Sequence, residues 1–223
     1  MKKSSISAGA LSFALLGAML APAQAALVNR ALVSATGADA PNCGATAATA
    51  CRTFQYIVTN IIAPGGEIDV MSAGGYGPVT IVHSLSIVND EAGAAGMGAV
   101  AGGNSITINA GPADNIFLKG LTGDGFGVGS NGVAFNTGGS LTIDKCVFKN
   151  YHYSGSGNNS GNGILLQPIS GTINFSISNT ITSNNGLVGV SYYPPSGSPV
   201  VIGAIDRLIS TNNQSGISID SSF

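Results

Sequence analysis

The chain has 223 residues, which is enough for one domain with a sizeable core. It contains 33 Gly, only 8% charged and 44% hydrophobic residues, and its mean hydropathy is +0.34. A hydrophobic chain so poor in charge is not intrinsically disordered. Eight Lys and Arg against ten Asp and Glu also exclude a strong nucleic-acid-binding surface, which needs a basic face.

Residues 1–25 have the features of a signal peptide. Lys2 and Lys3 precede a short apolar run, Ala10 to Leu20, and Ala23-Gln24-Ala25 fits a small-x-small cleavage site. The apolar run is too short to span a bilayer comfortably. The sequence therefore predicts a secreted or periplasmic protein that keeps no integral membrane segment after cleavage.

Export permits disulfide bonds, and residues 26–52 contain two of the three cysteines. Cys43 and Cys51 enclose a small polar loop, so we predict that they form a disulfide. A metal site is disfavoured because no His or second Cys pair lies near them. Cys146 lies in an apolar run and is expected to be a buried, inert side chain.

One segment, residues 53–66, predicts a helix followed by a turn. Its apolar positions have the spacing i, i+3, i+4, i+7, i+8; they are Phe54, Ile57, Val58, Ile61 and Ile62. Thr53 can cap its start, and Pro64-Gly65-Gly66 stops it. No later window shows a convincing helical period.

Residues 67–223 instead contain short β-branched runs separated by Gly, Asn, Ser or Pro. An apolar triplet followed by Asn, then by Gly-Ile or Gly-Val, recurs along this stretch. The Gly of that pair lies at positions 132, 163, 189 and 216, which differ by 31, 26 and 27. Three short strands in a period of this length predict the coils of a β-solenoid.

A solenoid encloses a thin apolar interior and satisfies its backbone groups by stacking each coil on the next. Gly and Asn suit its corners because they tolerate left-handed backbone geometry. Asn150, Asn184 and Asn212 occupy equivalent predicted corners and are expected to form a ladder along the axis. The alternative is that these three asparagines are ordinary loop residues that follow the strands without contacting one another.

Several segments resemble the right-handed parallel β-helix proteins exported by bacteria, the pectate-lyase-like group whose members mostly lack an assigned activity. The resemblance is carried by Asn131 to Phe135, Ser140 to Phe148, Thr53-Phe54-Gln55, Gly65 to Val70 and Gly75 to Pro78. It implies an all-β fold, a right-handed parallel β-helix closed at its N-terminal end by a short capping α-helix. The chain ends just after a strand that should begin another coil, so we expect a C-terminal truncation or an edge paired with another protein.

The chemistry of enzymes with this fold is not visible in the sequence. The resemblance implies clustered carboxylates for calcium with a basic residue in lyases, or several Asp with His and Arg in hydrolases. Asp90-Glu91 is the only adjacent acidic pair, and a calcium site there is possible but unsupported, so we predict no cofactor. Asp144-Lys145 and Asp206-Arg207 are expected to be exposed solubilising charges.

Two aromatic clusters are the best candidates for ligand binding. Tyr151-His152-Tyr153 follows an Asn corner, and Tyr192-Tyr193 follows the Gly-Val strand of the next coil. Both are predicted to flank the same sheet, one coil apart and at opposite edges. Tyrosine rings stack on sugar faces while their hydroxyls form hydrogen bonds, although packing over corners would also explain them.

Three functions follow as hypotheses. The first is a non-catalytic exported solenoid whose side face binds a polysaccharide, a cell-surface glycan or another protein. The second is a polysaccharide lyase or glycoside hydrolase relative that retains activity. The third is a structural surface protein, disfavoured because no regular Thr-x-Thr ladder repeats from coil to coil.

Overall fold

The structure, a computed structural model, describes residues 26–194 and 199–220. The predicted signal peptide, residues 1–25, lies outside the described residues. The described chain forms a parallel β-solenoid of about five turns with one short α-helix, which confirms the predicted fold class. Every pairing between strands is parallel, so each coil stacks on the one before it.

Three sheets run along the solenoid. The first two strands of the chain belong to one sheet, and after them successive strands pass from one sheet to the next. Sheet A contains, in spatial order, β1 (Val28–Val33), β2 (Ile62–Val70), β5 (Leu85–Val88), β8 (Asn115–Lys119), β11 (Ser140–Asp144), β14 (Thr172–Ser178) and β17 (Val200–Asp206). Sheet B contains β3 (Gly74–Gly75), β6 (Ala95–Gly98), β9 (Leu121–Asp124), β12 (Val147–Lys149), β15 (Ile181–Ser183) and β18 (Ile209–Thr211). Sheet C contains β4 (Val79–Ile81), β7 (Asn104–Asn109), β10 (Asn131–Thr137), β13 (Asn162–Leu166), β16 (Val188–Tyr192) and β19 (Ser215–Ile219).

The helix α1 (Phe54–Asn60) is shorter than the predicted helical segment. Thr53 caps it by accepting a hydrogen bond from the backbone N–H of Tyr56 at 3.2 Å. Ile62 was expected on the helix but begins β2, where it lies opposite Val28 of β1. Pairing with an existing strand satisfies the backbone groups that a further helical turn would otherwise use, so tertiary contact overrides the helical period.

Residues 26–52 are part of the solenoid, since β1 is the first strand of sheet A. The predicted disulfide between Cys43 and Cys51 is present, with their Cα atoms 5.0 Å apart. Cys51 also forms an isolated parallel bridge with Val33 of β1. The disulfide therefore ties the loop after β1 to Cys51, which pairs with β1 shortly before α1 begins.

Apolar side chains form continuous columns inside the solenoid. In sheet A one column is fully buried through five coils; it comprises Ile68, Ile87, Leu118, Ile143 and Ile177. Cys146 is also fully buried, as predicted, and its burial raises the pKa of its thiol to about 12. The interior of these coils is therefore dry and close-packed.

From β5 onward, left-handed residues turn the chain at two corners of each coil. At the corner between sheets B and C, called here the BC corner, Asn150, Asn184 and Asn212 have φ values of 62°, 55° and 53°. At the corner between sheets A and B the same geometry is imposed on Lys145 and Arg207, with φ values of 55° and 49°. The tight corner therefore fixes the backbone even for residues that do not favour it.

The two ends of the solenoid differ. At the first coil α1 buries Phe54, Ile57 and Val58, and the Gln55 Oε1 accepts a hydrogen bond from the Thr80 backbone N–H of the edge strand β4 at 2.7 Å. At the last coil no strand of the described residues pairs with the outer edges of β17, β18 and β19.

Candidate functional site

A groove at the BC corner is the candidate site. It is an open cavity of about 350 Å³ on the outside of the third to fifth coils. Its walls combine acidic, amide, imidazole and aromatic side chains; they are Asp124, Phe126, Gly127, Asn150, Tyr151, His152, Tyr153, Asn184 and Gly186. We call this cavity the corner groove.

The coil geometry places the polar groups of the corner groove in an axial row. Asp124 and Lys149 end the neighbouring strands β9 and β12 and are directly opposite each other. The following left-handed residue, Asn150, turns its side chain back toward the preceding coil, where Nδ2 donates to Asp124 Oδ1 at 3.0 Å. Two coils further, Asn212 Nδ2 donates to Asn184 Oδ1 at 3.2 Å. Amide and carboxylate groups therefore follow the solenoid axis, about 4.8 Å apart from coil to coil.

Asp124 is held in place by two hydrogen bonds and one ion pair. Besides the Asn150 amide, its Oδ1 accepts from the backbone N–H of Phe126 at 2.9 Å. The Lys149 Nζ lies 3.6 Å from its Oδ2. A carboxylate fixed in this way presents its remaining lone pairs to the groove as hydrogen-bond acceptors for hydroxyl groups.

Phe126 is unusual in both backbone and exposure. It has φ of +50°, a region that bulky residues rarely adopt, and its side chain is 69% exposed. Its ring lies over Gly98 of the preceding coil, so closely that a Cβ on Gly98 would lie 2.7 Å from the ring. The BC corner imposes the left-handed backbone on Phe126, as the corners do on Lys145 and Arg207, but hydrophobic burial does not explain why a phenylalanine ring is exposed here.

The first predicted tyrosine cluster lies at the corner groove, but its members differ in access. Tyr151 is only 2% exposed, and its hydroxyl lies 2.6 Å from the Ser105 hydroxyl inside the solenoid. Burial raises the pKa of the Tyr151 phenol. The side chain fits the space left by Gly125, where a Cβ would come within 2.6 Å of its ring. Tyr151 therefore has no ring face free for stacking, which contradicts a ligand contact by this side chain.

His152 and Tyr153 are the accessible members of that cluster. His152 is exposed and Tyr153 is half-buried. Tyr153 packs on two glycines, since a Cβ on either Gly161 or Gly186 would lie within 3 Å of it. Gly161 lies in the same coil as Tyr153 and Gly186 in the next one, and their lack of side chains lets both segments approach the tyrosine closely beside the groove.

The second predicted cluster lies elsewhere. Tyr192 occupies the inward column of sheet C, between Leu166 and Ile219, where the alternation of the strand turns its ring into the solenoid. Its hydroxyl donates to the Pro199 carbonyl at 3.2 Å, and burial raises its pKa. Tyr193 is half-buried at the opposite edge of sheet C from the corner groove. The two clusters flank one sheet at opposite edges, one coil apart, and the structure does not bring them together.

Three of the remaining charged candidates, Asp90, Asp144 and Asp206, have partners outside the groove. Asp90 forms an ion pair with Lys119 at 2.6 Å, and Asp206 forms one with Arg207 at 2.6 Å. Asp144 accepts hydrogen bonds from Asn179 Nδ2 at 2.7 Å, which holds the pKa of the carboxyl below its usual range. In residues 26–194 and 199–220, His, Cys, Asp and Glu form no group of three or more that could hold a metal ion.

Sequence reasoning missed a second Asn row, which is buried. Asn131 Nδ2 donates to Asn104 Oδ1 at 3.0 Å, and Asn162 Nδ2 donates to Asn131 Oδ1 at 2.9 Å. The row stops at the next coil, where the register places Val188. The Asn162 Oδ1 is consequently buried without a hydrogen-bond partner. The Asn preceding Gly-Val or Gly-Ile in the sequence repeat was the signal for this row.

Asp124 and Phe126 were also missed, because nothing in the sequence distinguishes them from other loop residues.

The resemblance to the exported β-helix group is not confirmed by comparison. No protein family profile, no curated protein and no solved structure matches the chain. Among the described residues, no helix is both long enough and apolar enough to cross a bilayer. The fold and the corner groove are therefore the basis for a functional proposal.

Proposed function

We propose that the chain is an exported, non-catalytic β-helix protein that binds a glycan in the corner groove. The observation that carries the proposal is the exposed ring of Phe126, held in left-handed backbone beside the Asp124–Asn150 hydrogen bond. Its position brings an apolar ring face and several polar groups to one open surface. Sugars present the same combination of an apolar ring face and a rim of hydroxyl groups.

Each part of the groove has a role in this proposal. Phe126 and Tyr153 offer ring surfaces for stacking on pyranose faces. Asn150 and Asn184 supply amide donors and acceptors, and Asp124 accepts from hydroxyl groups. Because these groups repeat from coil to coil, a linear glycan lying along the axis contacts several coils at once.

A binding role agrees better with this groove than hydrolysis or elimination. Asp124 is the one acidic side chain among the residues that line it, and its carboxylate is already engaged by Asn150 and Lys149. Glycoside hydrolysis usually needs two carboxyl groups on opposite sides of the scissile bond. We therefore assign the groove to recognition.

The test is a binding screen against soluble neutral and acidic polysaccharides by affinity electrophoresis, followed by calorimetry with the best ligand. We expect Phe126→Ala and Tyr153→Ala each to weaken binding about two- to twelvefold, from the loss of stacking worth about 0.5–1.5 kcal/mol. Phe117→Ala is the matched control, since Phe117 is a partly exposed phenylalanine on sheet A. Tyr193→Ala tests the other aromatic cluster.

The proposal fails if no polysaccharide binds, or if Phe126→Ala binds as tightly as the unsubstituted protein. Loss of binding in Tyr193→Ala alone would move the site to the opposite edge of sheet C. Release of unsaturated or reducing sugars during the incubation would show a lyase or hydrolase instead.

Export is proposed from the leader-like residues 1–25 and is supported by the disulfide between Cys43 and Cys51. Fractionation of a bacterial host, with N-terminal sequencing of the recovered protein, tests it. We expect recovery outside the cytoplasm with a new N-terminus at Ala26. Retention in the cytoplasm with Met1 intact would contradict export.

A further inference from the structure

The BC corner changes in polarity along the solenoid axis. Its loops in the fourth to sixth coils each contain two or more asparagines; they are residues 150–161, 184–187 and 212–214. In the second and third coils, residues 99–103 and 125–130 contain only Ala, Val, Gly, Phe and a single Ser. The hydroxyl of that serine, Ser130, donates to the Gly102 carbonyl at 2.8 Å. These two loops therefore present no side-chain hydrogen-bonding group that is not already engaged.

Three apolar side chains project from these two loops, and we call them the apolar patch. They are Val100, Phe126 and Val128, which are 63%, 69% and 48% exposed. The Phe126 ring lies over Gly98 of the second coil, two residues before Val100. The Gly102 backbone N–H donates to the Val128 carbonyl at 2.9 Å, two residues after Val100. Contacts between the coils thus hold the three side chains in one exposed surface.

The apolar patch continues the corner groove toward the first coil. Phe126 belongs to both, because it also lines the groove, which extends from the third coil to Asn184 of the fifth. A ligand that lies along the axis and stacks on Phe126 therefore passes over the valines of the patch at one end. There it meets methyl groups in place of the amides that line the rest of its path.

The size and charge of the apolar patch restrict what can cover it. A specific protein interface buries about 800 Å² and roughly 20–30 residues on each partner, far more than three side chains supply. Attraction to an anionic lipid surface needs clustered Lys or Arg, and residues 99–103 and 125–130 contain neither. A surface of this size matches a small apolar substituent on the ligand of the neighbouring groove.

We propose that the corner groove selects an acetylated glycan and that the apolar patch packs on the methyl of an acetyl group. This inference rests on the proposed function, glycan binding in the corner groove. Hydroxyl groups of the sugar meet Asp124 and Asn150, the ring stacks on Phe126, and the acetyl group lies against Val100 and Val128. Burial of one methyl group is worth about fourfold in affinity. The patch therefore distinguishes glycans that share one backbone and differ in acetylation.

The test is calorimetry with two matched pairs of uncharged ligands. One pair is O-acetylated xylan and the same xylan after removal of its acetyl esters by alkali. The other is chitohexaose and cellohexaose, which share a backbone linkage and differ in an acetamido group against a hydroxyl on each sugar. We expect the acetylated member of one pair to bind about fourfold or more tightly, and the pair that shows it distinguishes an acetyl ester from an acetamide.

Substitutions in the apolar patch separate its contribution from that of the groove. Val100→Ser and Val128→Ser should each lower the affinity for the acetylated ligand up to about fourfold and leave the affinity for its unacetylated partner unchanged. Val82→Ser is the matched control, because Val82 is a 53% exposed valine beside α1, outside both the groove and the patch. It should keep the full preference for the acetylated ligand.

The outcomes separate this inference from the proposed function. Equal affinity for both members of both pairs would overturn the selection of acetyl groups and leave glycan binding in the corner groove intact. A preference that survives Val100→Ser and Val128→Ser, or an equal loss for acetylated and unacetylated ligands, would overturn the role of the patch. Failure of every glycan to bind would overturn the proposed function and this inference with it.

Discussion

The closed and open ends of the solenoid are built from the same repeat, yet they bury their side chains very differently. In the column that runs through sheet C, Ile106 and Ile164 are fully buried, whereas Ile217 is 50% exposed. The difference arises from what lies beyond each coil. A middle coil has neighbours on both sides, the first has α1, and among the described residues the last has nothing on its outer side. Stability in a solenoid is thus a property of neighbouring coils more than of any single one.

The largest expected effect compares two isoleucines of that column. Ile164→Ala removes a fully buried side chain and should lower the free energy of unfolding by about 2–5 kcal/mol. Ile217→Ala removes one that is half exposed and should cost less than about 1 kcal/mol. Urea denaturation measures both. Equal losses would show that the last coil is as well packed as the middle ones.

The pH dependence of stability tests whether the Cys146 thiol is buried away from water. Burial raises the pKa of the Cys146 thiol from 9.0 to about 12, so the folded protein keeps a proton that the unfolded chain loses above pH 9. The contribution of this group to stability is therefore fully present below pH 9. It should be lost at up to about 1.4 kcal/mol per pH unit between pH 9 and 12. Thermal melting between pH 7 and 11 tests this, with Cys146→Ala as the variant in which the loss is smaller.

A thiol placed two coils further gives the matched control for Cys146. Leu208 follows Cys146 and Thr180 in the same column but is only partly buried. In a Cys146→Ala background, Leu208→Cys should react with a thiol reagent at pH 8, while Cys146 of the unsubstituted protein should not. Rapid modification of Cys146 in the folded protein would contradict a dry interior at the fourth coil.

The smallest expected effect concerns the interrupted buried Asn row. An Asn at position 188 is placed to donate to the orphaned Asn162 Oδ1, so Val188→Asn should be about 1 kcal/mol more stable than Val188→Ala. Val190→Asn is the control, because Val190 continues an aliphatic column and offers no partner. Chemical denaturation measures all three variants. Equal losses for Val188→Asn and Val190→Asn would show that the row does not extend.

Much of this architecture is predictable from the sequence because the repeat itself carries the information. Periodic apolar triplets and corner asparagines predict stacked coils, and the pair Cys43 and Cys51 predicts the disulfide. The helix boundary at Ile62 was wrong, because local periodicity contains nothing about the strand β1 that this residue pairs with.

The candidate site was less accessible to sequence reasoning. Tyr151 and Tyr192 look alike as aromatic residues beside corners, but the register turns both into the interior. The roles proposed for Phe126 and Asp124 depend on contacts with neighbouring coils. Phe126 lies over Gly98, and Asp124 accepts a hydrogen bond from Asn150. Contacts between residues about 26 positions apart depend on exact coil lengths, which vary along this chain.

Hydrogen–deuterium exchange of the free chain, followed by mass spectrometry, tests the contrast between the two ends most directly. The predicted result is slow exchange in the strands of the first to fifth coils and fast exchange in residues 200–219. Equal protection of residues 200–219 and of β5 to β8, or rapid exchange throughout the middle coils, would contradict this account.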